Sequence, residues 1–106
     1  MDAVTALSGS GPGYIFQIME NFVEAGMKLG LSRETAYRLT VQTVLGAAQL
    51  AKESKESLAE LRDAVTSPGG TTSRGLAVMR ERELVDIITE AVEAACRRSK
   101  ELSSIS

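Results

Sequence analysis

The stretch Thr66–Gly75, TSPGGTTSRG, holds the residues best placed to do chemistry. Hydroxyls at Thr66, Ser67, Thr71 and Thr72 surround a Pro68-Gly69-Gly70 turn, and a helical pattern runs away on each side. Pro68 has no backbone N–H and biases Ser67 away from helix, so the preceding helix should stop there. Gly69 and Gly70 tolerate positive φ and let another group approach the backbone with no Cβ in the way. The helix that follows begins with N–H groups that have no intrahelical partner and carry partial positive charge, an arrangement that accepts an anion. Hydroxyls at Ser67, Thr71 and Thr72 add donors and acceptors that orient a small ligand. Two readings stay open on local physics: a helix–helix turn in which Thr71 or Thr72 caps the next helix, or a small-anion site. A phosphate loop is a poor match, because no Lys follows in the position such a loop requires.

Other chemistry is restricted by what the chain lacks. It has no His, which removes the commonest general base and metal ligand, so no metal site is expected. The single Cys96 cannot form an internal disulfide. Lying in AVEAACRRS among small apolar residues, it reads as a buried structural thiol, with a reactive thiol as the alternative. With 12 Lys and Arg against 14 Asp and Glu, net charge −2 and no basic block, no nucleic-acid footprint is expected. No apolar run approaches the roughly 20 residues that cross a bilayer, and no signal-like segment opens the chain, so no membrane partner is expected and a cytoplasmic location is the default.

The elements that must position the glycine turn read as helices throughout. The 106 residues suit one domain, and with two Tyr, two Phe and no Trp the core must come from smaller aliphatic side chains. After the Gly/Ser-rich opening LSGSGPGY, apolar residues at Ile15, Ile18, Met19, Phe22, Gly26 and Leu29 keep a helical rhythm. Ser8 and Ser10 are candidate caps for that helix, with Pro12 near its first turn. Gly30 fits the left-handed position after it, with Leu31 as the following apolar contact. Ser32 reads as the next N-cap, with Glu34 favouring the positive end of a helix that runs to about Glu53. The middle of that helix, VQTVLGAAQLA, is apolar around most of its circumference, so Val41, Val44, Leu45 and Ala48 are expected to form a dimer core. The alternative is a helix central to a monomeric bundle. A short helix over about Ser57 to Val65, one over Thr71 to Glu81 and one striped by Leu84, Ile87, Ile88, Ala91, Val92 and Ala95 complete the chain; Arg97, Arg98 and Lys100 sit near the end of the last, and the tail 103–106 should fray. The expectation is all-α: a bundle of about five helices, intertwined as a two-fold homodimer.

Two separate segments carry a resemblance. LRDAVTSPGGTTSRGLAVMRE, Leu61 to Glu81, resembles the signature segment of pyrroline-5-carboxylate reductase, and DAVTALSGSGPGYIF, Asp2 to Phe16, resembles the opening of that family's C-terminal domain. EAGMKLGLSRETAYRL and AVEAACRRSKEL have the same look, so the likeness covers residues 2–102. No G-x-G-x-x-G follows a strand, and GSGPG leads directly into a helix. The resemblance therefore implies the dimerisation and substrate-loop domain without the N-terminal Rossmann domain, inactive alone. It implies the NADPH- or NADH-dependent reduction of 1-pyrroline-5-carboxylate to L-proline by the complete enzyme. Substrate contacts are implied at Val65, Ser67, Gly69, Gly70, Thr71 and Thr72, with Thr72 the catalytic residue on the ring nitrogen and backbone N–H groups of Gly70, Thr71 and Thr72 on the carboxylate. Ser8 and Ser10 are implied near the nicotinamide, against their reading as caps. The family often has His-Pro where Ser57-Leu58 stands and an apolar residue where Ser73 stands. The competing reading is a purely structural dimerisation module whose turn binds nothing.

Overall fold

A computed structural model describes residues 1–105, and every regular element among them is helical. α1 (Asp2–Val4) runs into a π-helical turn (Thr5–Gly9), followed by α2 (Gly11–Lys28), α3 (Arg33–Glu53), α4 (Leu58–Ala64), α5 (Thr71–Glu81) and α6 (Leu84–Ile105). The backbone divides into two compact units, residues 13–65 and residues 1–12 with 66 onward.

In the unit 13–65, local signals at the α2–α3 corner act as the sequence predicts. Gly30 has φ of 103°, the Gly30 N–H donates to the Met27 carbonyl at 3.0 Å and the Leu31 N–H to the Gly26 carbonyl at 3.1 Å. These two bonds close α2 as a Schellman turn. Ser32, at φ −68° and ψ 156°, then caps α3, its Oγ accepting from the Thr35 N–H at 3.2 Å, with Glu34 in the first turn. The two helices approach closely where Gly26 faces Ala36: a Cβ on Gly26 would stand 3.1 Å from the Ala36 Cβ. Val23 and Ala36 are buried. A bidentate pair from Arg33 Nη2 to the Glu20 carboxylate, at 2.7 and 2.9 Å, ties α3 back to α2. Since both side chains are about half exposed, the pair adds at most about 1 kcal/mol and chiefly fixes how the helices line up. α4 starts with a capping box, the Ser57 Oγ accepting from the Glu60 N–H at 3.1 Å and the Glu60 carboxylate from the Ser57 N–H at 3.1 Å. Ser57 thus begins this helix without the His-Pro common in the family.

Not all of the α2 pattern turns inward. Val23 and the half-buried Met19 and Gly26 lie toward α3, while Ile15, Ile18, Phe22 and Leu29 are exposed. The apolar stripe read from the sequence is therefore wider than what this helix buries in the chain by itself.

The other unit corrects three expectations. Its Gly/Ser-rich opening is itself helical, so Ser8 and Ser10 do not cap the helix that follows. The Ser8 hydroxyl donates to the Val4 carbonyl at 2.9 Å, and the Ser10 N–H reaches back five residues to the Thr5 carbonyl at 2.9 Å. These bonds close a π turn that takes the glycines into a continuous helical path. Ala6 is wholly buried there, with α6 packed against both α1 and the π turn. The Ser99 hydroxyl donates to the Asp2 carboxylate at 2.7 Å. Secondly, the expected frayed tail is helical through Ile105, where the Ser104 hydroxyl donates to the Lys100 and Glu101 carbonyls at 3.1 and 2.9 Å; Ser106 lies outside the described residues. Arg97, Arg98 and Lys100 consequently precede the last turn of α6. Thirdly, Cys96 is half-buried, not fully enclosed. Between α5 and α6 the chain bends at Glu83, whose φ of 57° is left-handed without being glycine.

Candidate functional site

The glycine turn has a defined geometry. The Gly70 N–H donates to the Ser67 carbonyl at 3.0 Å across Pro68 and Gly69, and Gly69 has φ of 73°. Proline second and a left-handed glycine third make this a type II turn. Gly70 adopts the extended N-cap conformation, φ −86° and ψ −174°, and α5 begins at Thr71 as predicted. A Cβ on Gly70 would meet the Ser67 carbonyl oxygen at 3.2 Å, so the turn is tight on its inner side.

The end of α5 has no side-chain cap. Neither Thr71 nor Thr72 caps it, because both lie inside the helix and the capping position belongs to a glycine with no side chain to offer. The Arg74 N–H is the first to be met in the helical manner, by the Gly70 carbonyl at 3.2 Å. This leaves the Thr71, Thr72 and Ser73 N–H groups at a helix N-terminus carrying partial positive charge. Gly70 is removed from the expected donor set, since its own N–H closes the turn. Ser67, Thr71 and Thr72 are exposed, and Ser73 is half-buried. Val65 closes α4 in the other unit and is 63% exposed.

The opening serines have different roles from caps. Ser8 is held to the Val4 carbonyl, and Ser10 has helical φ and ψ of −86° and −16°, whereas a capping serine is extended. Ser10 instead lines a cleft of about 450 Å³ with Thr5, Ala95, Arg98, Ser99 and Leu102. Arg98 there pairs with Glu101 at 3.0 Å. A second, more apolar groove of about 380 Å³ lies between α2 and α3, lined by Phe16, Met19, Val23, Tyr37, Thr40 and Val41 and by the Glu20–Arg33 ion pair. Neither includes a residue of the Ser67–Thr72 turn. Sequence reading missed both; Thr40, buried one turn after Ala36 on the inner face of α3, belongs to the groove's lining. Among the described residues no group of three or more Cys, Asp or Glu side chains is arranged to hold a metal ion.

The geometry can be set beside known proteins. A family described as pyrroline-5-carboxylate reductase dimerisation matches residues 1–102. A pyrroline-5-carboxylate reductase of Pseudomonas aeruginosa is 52% identical over 103 residues, covering 97% of this chain and 38% of that protein. One from Synechocystis is 51% identical, over 96% of this chain and 38% of its own length. Among solved structures, the Coxiella burnetii reductase superposes with TM-score 0.93 at 51% identity, over 95% of this chain and 37% of that one. The Plasmodium falciparum enzyme, solved with NADP bound, gives 0.93 at 40% identity, over 95% and 38%. The chain thus spans well under half the length of the relatives it matches.

Proposed function

Because this chain belongs to the pyrroline-5-carboxylate reductase dimerisation family, we propose that it is the subunit-pairing and imino-acid-holding part of such a reductase. The reaction is hydride transfer from NADPH or NADH to the C=N carbon of 1-pyrroline-5-carboxylate, with a proton taken up at the ring nitrogen, giving L-proline and oxidised nicotinamide. The observation that carries this reading is the uncapped N-terminus of α5 behind a type II glycine turn, within a chain matched over residues 1–102.

The chain's own residues supply binding and orientation. The Thr71, Thr72 and Ser73 N–H groups face a carboxylate at the positive end of α5, and the Ser67 hydroxyl adds a donor from across the turn. The Thr72 hydroxyl holds the ring nitrogen, fixing which carbon is presented to the hydride. Gly69 and Gly70 contribute backbone shape, not hydrogen bonds to substrate. Among the described residues there is no strand and hence no strand-to-helix phosphate turn of the dinucleotide-binding kind. Ser8 and Ser10 retain a nicotinamide-end role only through the resemblance.

Pairing is the second half of the reading. Leu45 is 56% exposed and Ala48 is exposed in the middle of α3, beside half-buried Val41 and Val44. We assign these residues to a two-fold homodimer core. Light scattering should give a dimer for the chain and a monomer or unfolded chain for Leu45→Asp, because a carboxylate forced into a closed apolar contact costs several kcal/mol; a well-folded Leu45→Asp dimer overturns the assignment.

Substrate holding is tested by replacing the matching segment of the Pseudomonas aeruginosa reductase with this chain. The chimera should reduce 1-pyrroline-5-carboxylate, and Ser67→Ala should raise its KM. A chimera whose kinetics ignore Ser67→Ala and Thr72→Ala alike would leave a dimerisation module without a ligand site.

A further inference from the structure

We propose that Arg74, in the first turn of α5, makes the substrate site selective for a negatively charged imino acid by drawing in its carboxylate. This rests on the reading of the α5 end as the holder of that carboxylate, and names the side chain that sets its preference for an anion. From Thr66 to Met79, Arg74 is the one charged residue in the sequence. No acidic residue stands in the first turn of α5, and no Asp or Glu lies three or four residues from Arg74 along the helix. Its side chain is exposed and makes no ion pair or hydrogen bond among the described residues.

Fold stability does not account for a cation at this position. It opposes the helix dipole, whose positive end already gathers at Thr71, Thr72 and Ser73. Arg33 also stands in the first turn of a helix, but there the Glu20 carboxylate takes it at 2.7 and 2.9 Å. α4 and α6 carry Glu60 and Asp86 in their first turns. Arg74 has no such compensation, so its charge adds to that of the uncapped N–H groups. A local rule broken beside a binding turn is explained by an anion supplied from outside the chain.

Helix geometry aims the charge. Cβ bonds tilt toward the helix N-terminus, so Arg74 leans back over Thr71 and Gly70, three and four residues earlier on the same face. Thr71 lies about 4.5 Å down the axis, within reach of so long a side chain. Thr72 is two residues away and faces elsewhere, so the guanidinium serves the carboxylate while the Thr72 hydroxyl keeps the ring nitrogen. Being exposed, Arg74 acts by charge over a distance that salt screens, about 10 Å at 0.1 M. It favours capture of an anion and takes no part in hydride transfer.

The test uses the chimera with the Pseudomonas aeruginosa reductase. Arg74→Gln should raise the KM for 1-pyrroline-5-carboxylate about fivefold at low salt, leaving kcat, the KM for NADPH and the unfolding midpoint nearly unchanged. At about 0.5 M salt the rise should shrink below about twofold. Arg74→Lys should restore KM, and Arg74→Glu should raise it further. A rise that persists at high salt, or that Arg74→Lys shares, overturns the charge role; a rise in the KM for NADPH instead overturns the assignment to the imino acid. If Arg74→Gln changes nothing while Ser67→Ala raises KM, the role of Arg74 falls and the site stands. If Arg74→Gln, Ser67→Ala and Thr72→Ala all change nothing, both fall together.

Discussion

The two glycine turns of this chain use the same residue type for opposite ends. At Gly30 the turn is closed on itself: the carbonyls ending α2 accept from Gly30 and Leu31, and Ser32 then caps α3 with its own side chain. At Gly69 and Gly70 one hydrogen bond closes the turn, and the helix behind it starts with no side-chain cap. A chain that places a serine cap ahead of α3 and a capping box ahead of α4 leaves α5 uncapped. The difference separates a turn whose following helix is capped by a side chain from one whose following helix starts uncapped.

The largest effect is expected where the closed turn meets the helix contact. Gly26 both accepts the Leu31 N–H and allows Ala36 to approach. Gly26→Leu should therefore cost about 3 kcal/mol in urea unfolding, since the added side chain must displace α3. A loss within a few tenths would mean that the α2–α3 approach is soft and the turn alone fixes the corner. Next comes the open turn. Thr72→Ala in the chimera should lower kcat/KM by about 30-fold, about 2 kcal/mol, with the unfolding midpoint nearly unchanged, because it removes one orienting bond at an exposed position. Equal loss of stability and activity would assign Thr72 to packing.

How much of this was legible follows from how local each signal is. Gly30, Ser32 and the span Thr71–Glu81 were readable because a glycine after an apolar helix, a serine before one and a Pro-Gly-Gly stop act within a few residues. The opening was not readable: Ser8 and Ser10 in LSGSGPGY look like loop chemistry, and only the burial of Ala6 against α6 and the five-residue reach from Ser10 to Thr5 make that segment helical. Ser57 was read only as the approximate start of a helix, although Glu60 three residues on completes a capping box. The apolar stripes of α2 and α6 were visible, but how much of each a single copy leaves exposed was not. The open state of α5 was left undecided because Thr71 and Thr72 are both good caps, and only the φ and ψ of Gly70 put them inside the helix.

A smaller effect tests whether left-handed backbone is what the glycines supply. Gly30→Ala and Gly69→Ala each force a Cβ into positive φ and should each cost about 1–2 kcal/mol. Their consequences should diverge: Gly30→Ala leaves substrate binding by the chimera unchanged once folded, while Gly69→Ala moves the first turn of α5 and raises KM. Glu83 provides the reverse control, since Glu83→Gly should relieve its φ of 57° and stabilise by about 1 kcal/mol. If Glu83→Gly destabilises, the side chain has a role that the backbone strain conceals.

The smallest change in stability gives the sharpest division between the two turns. Gly70→Ser supplies the cap that α3 and α4 already have, and serine exceeds glycine at an N-cap by only a few tenths of a kcal/mol. The added Cβ meets the Ser67 carbonyl oxygen at 3.2 Å, which offsets that gain, so the unfolding free energy should move by less than about 0.5 kcal/mol. The new hydroxyl oxygen would accept from the Thr72 or Ser73 N–H, the donors proposed for the substrate carboxylate. In the chimera KM should rise sharply while dimerisation stays intact. If Gly70→Ser instead binds substrate as before, those N–H groups are not the anion's partners, and the open end of α5 becomes a turn like the one at Gly30, differing only in lacking a cap.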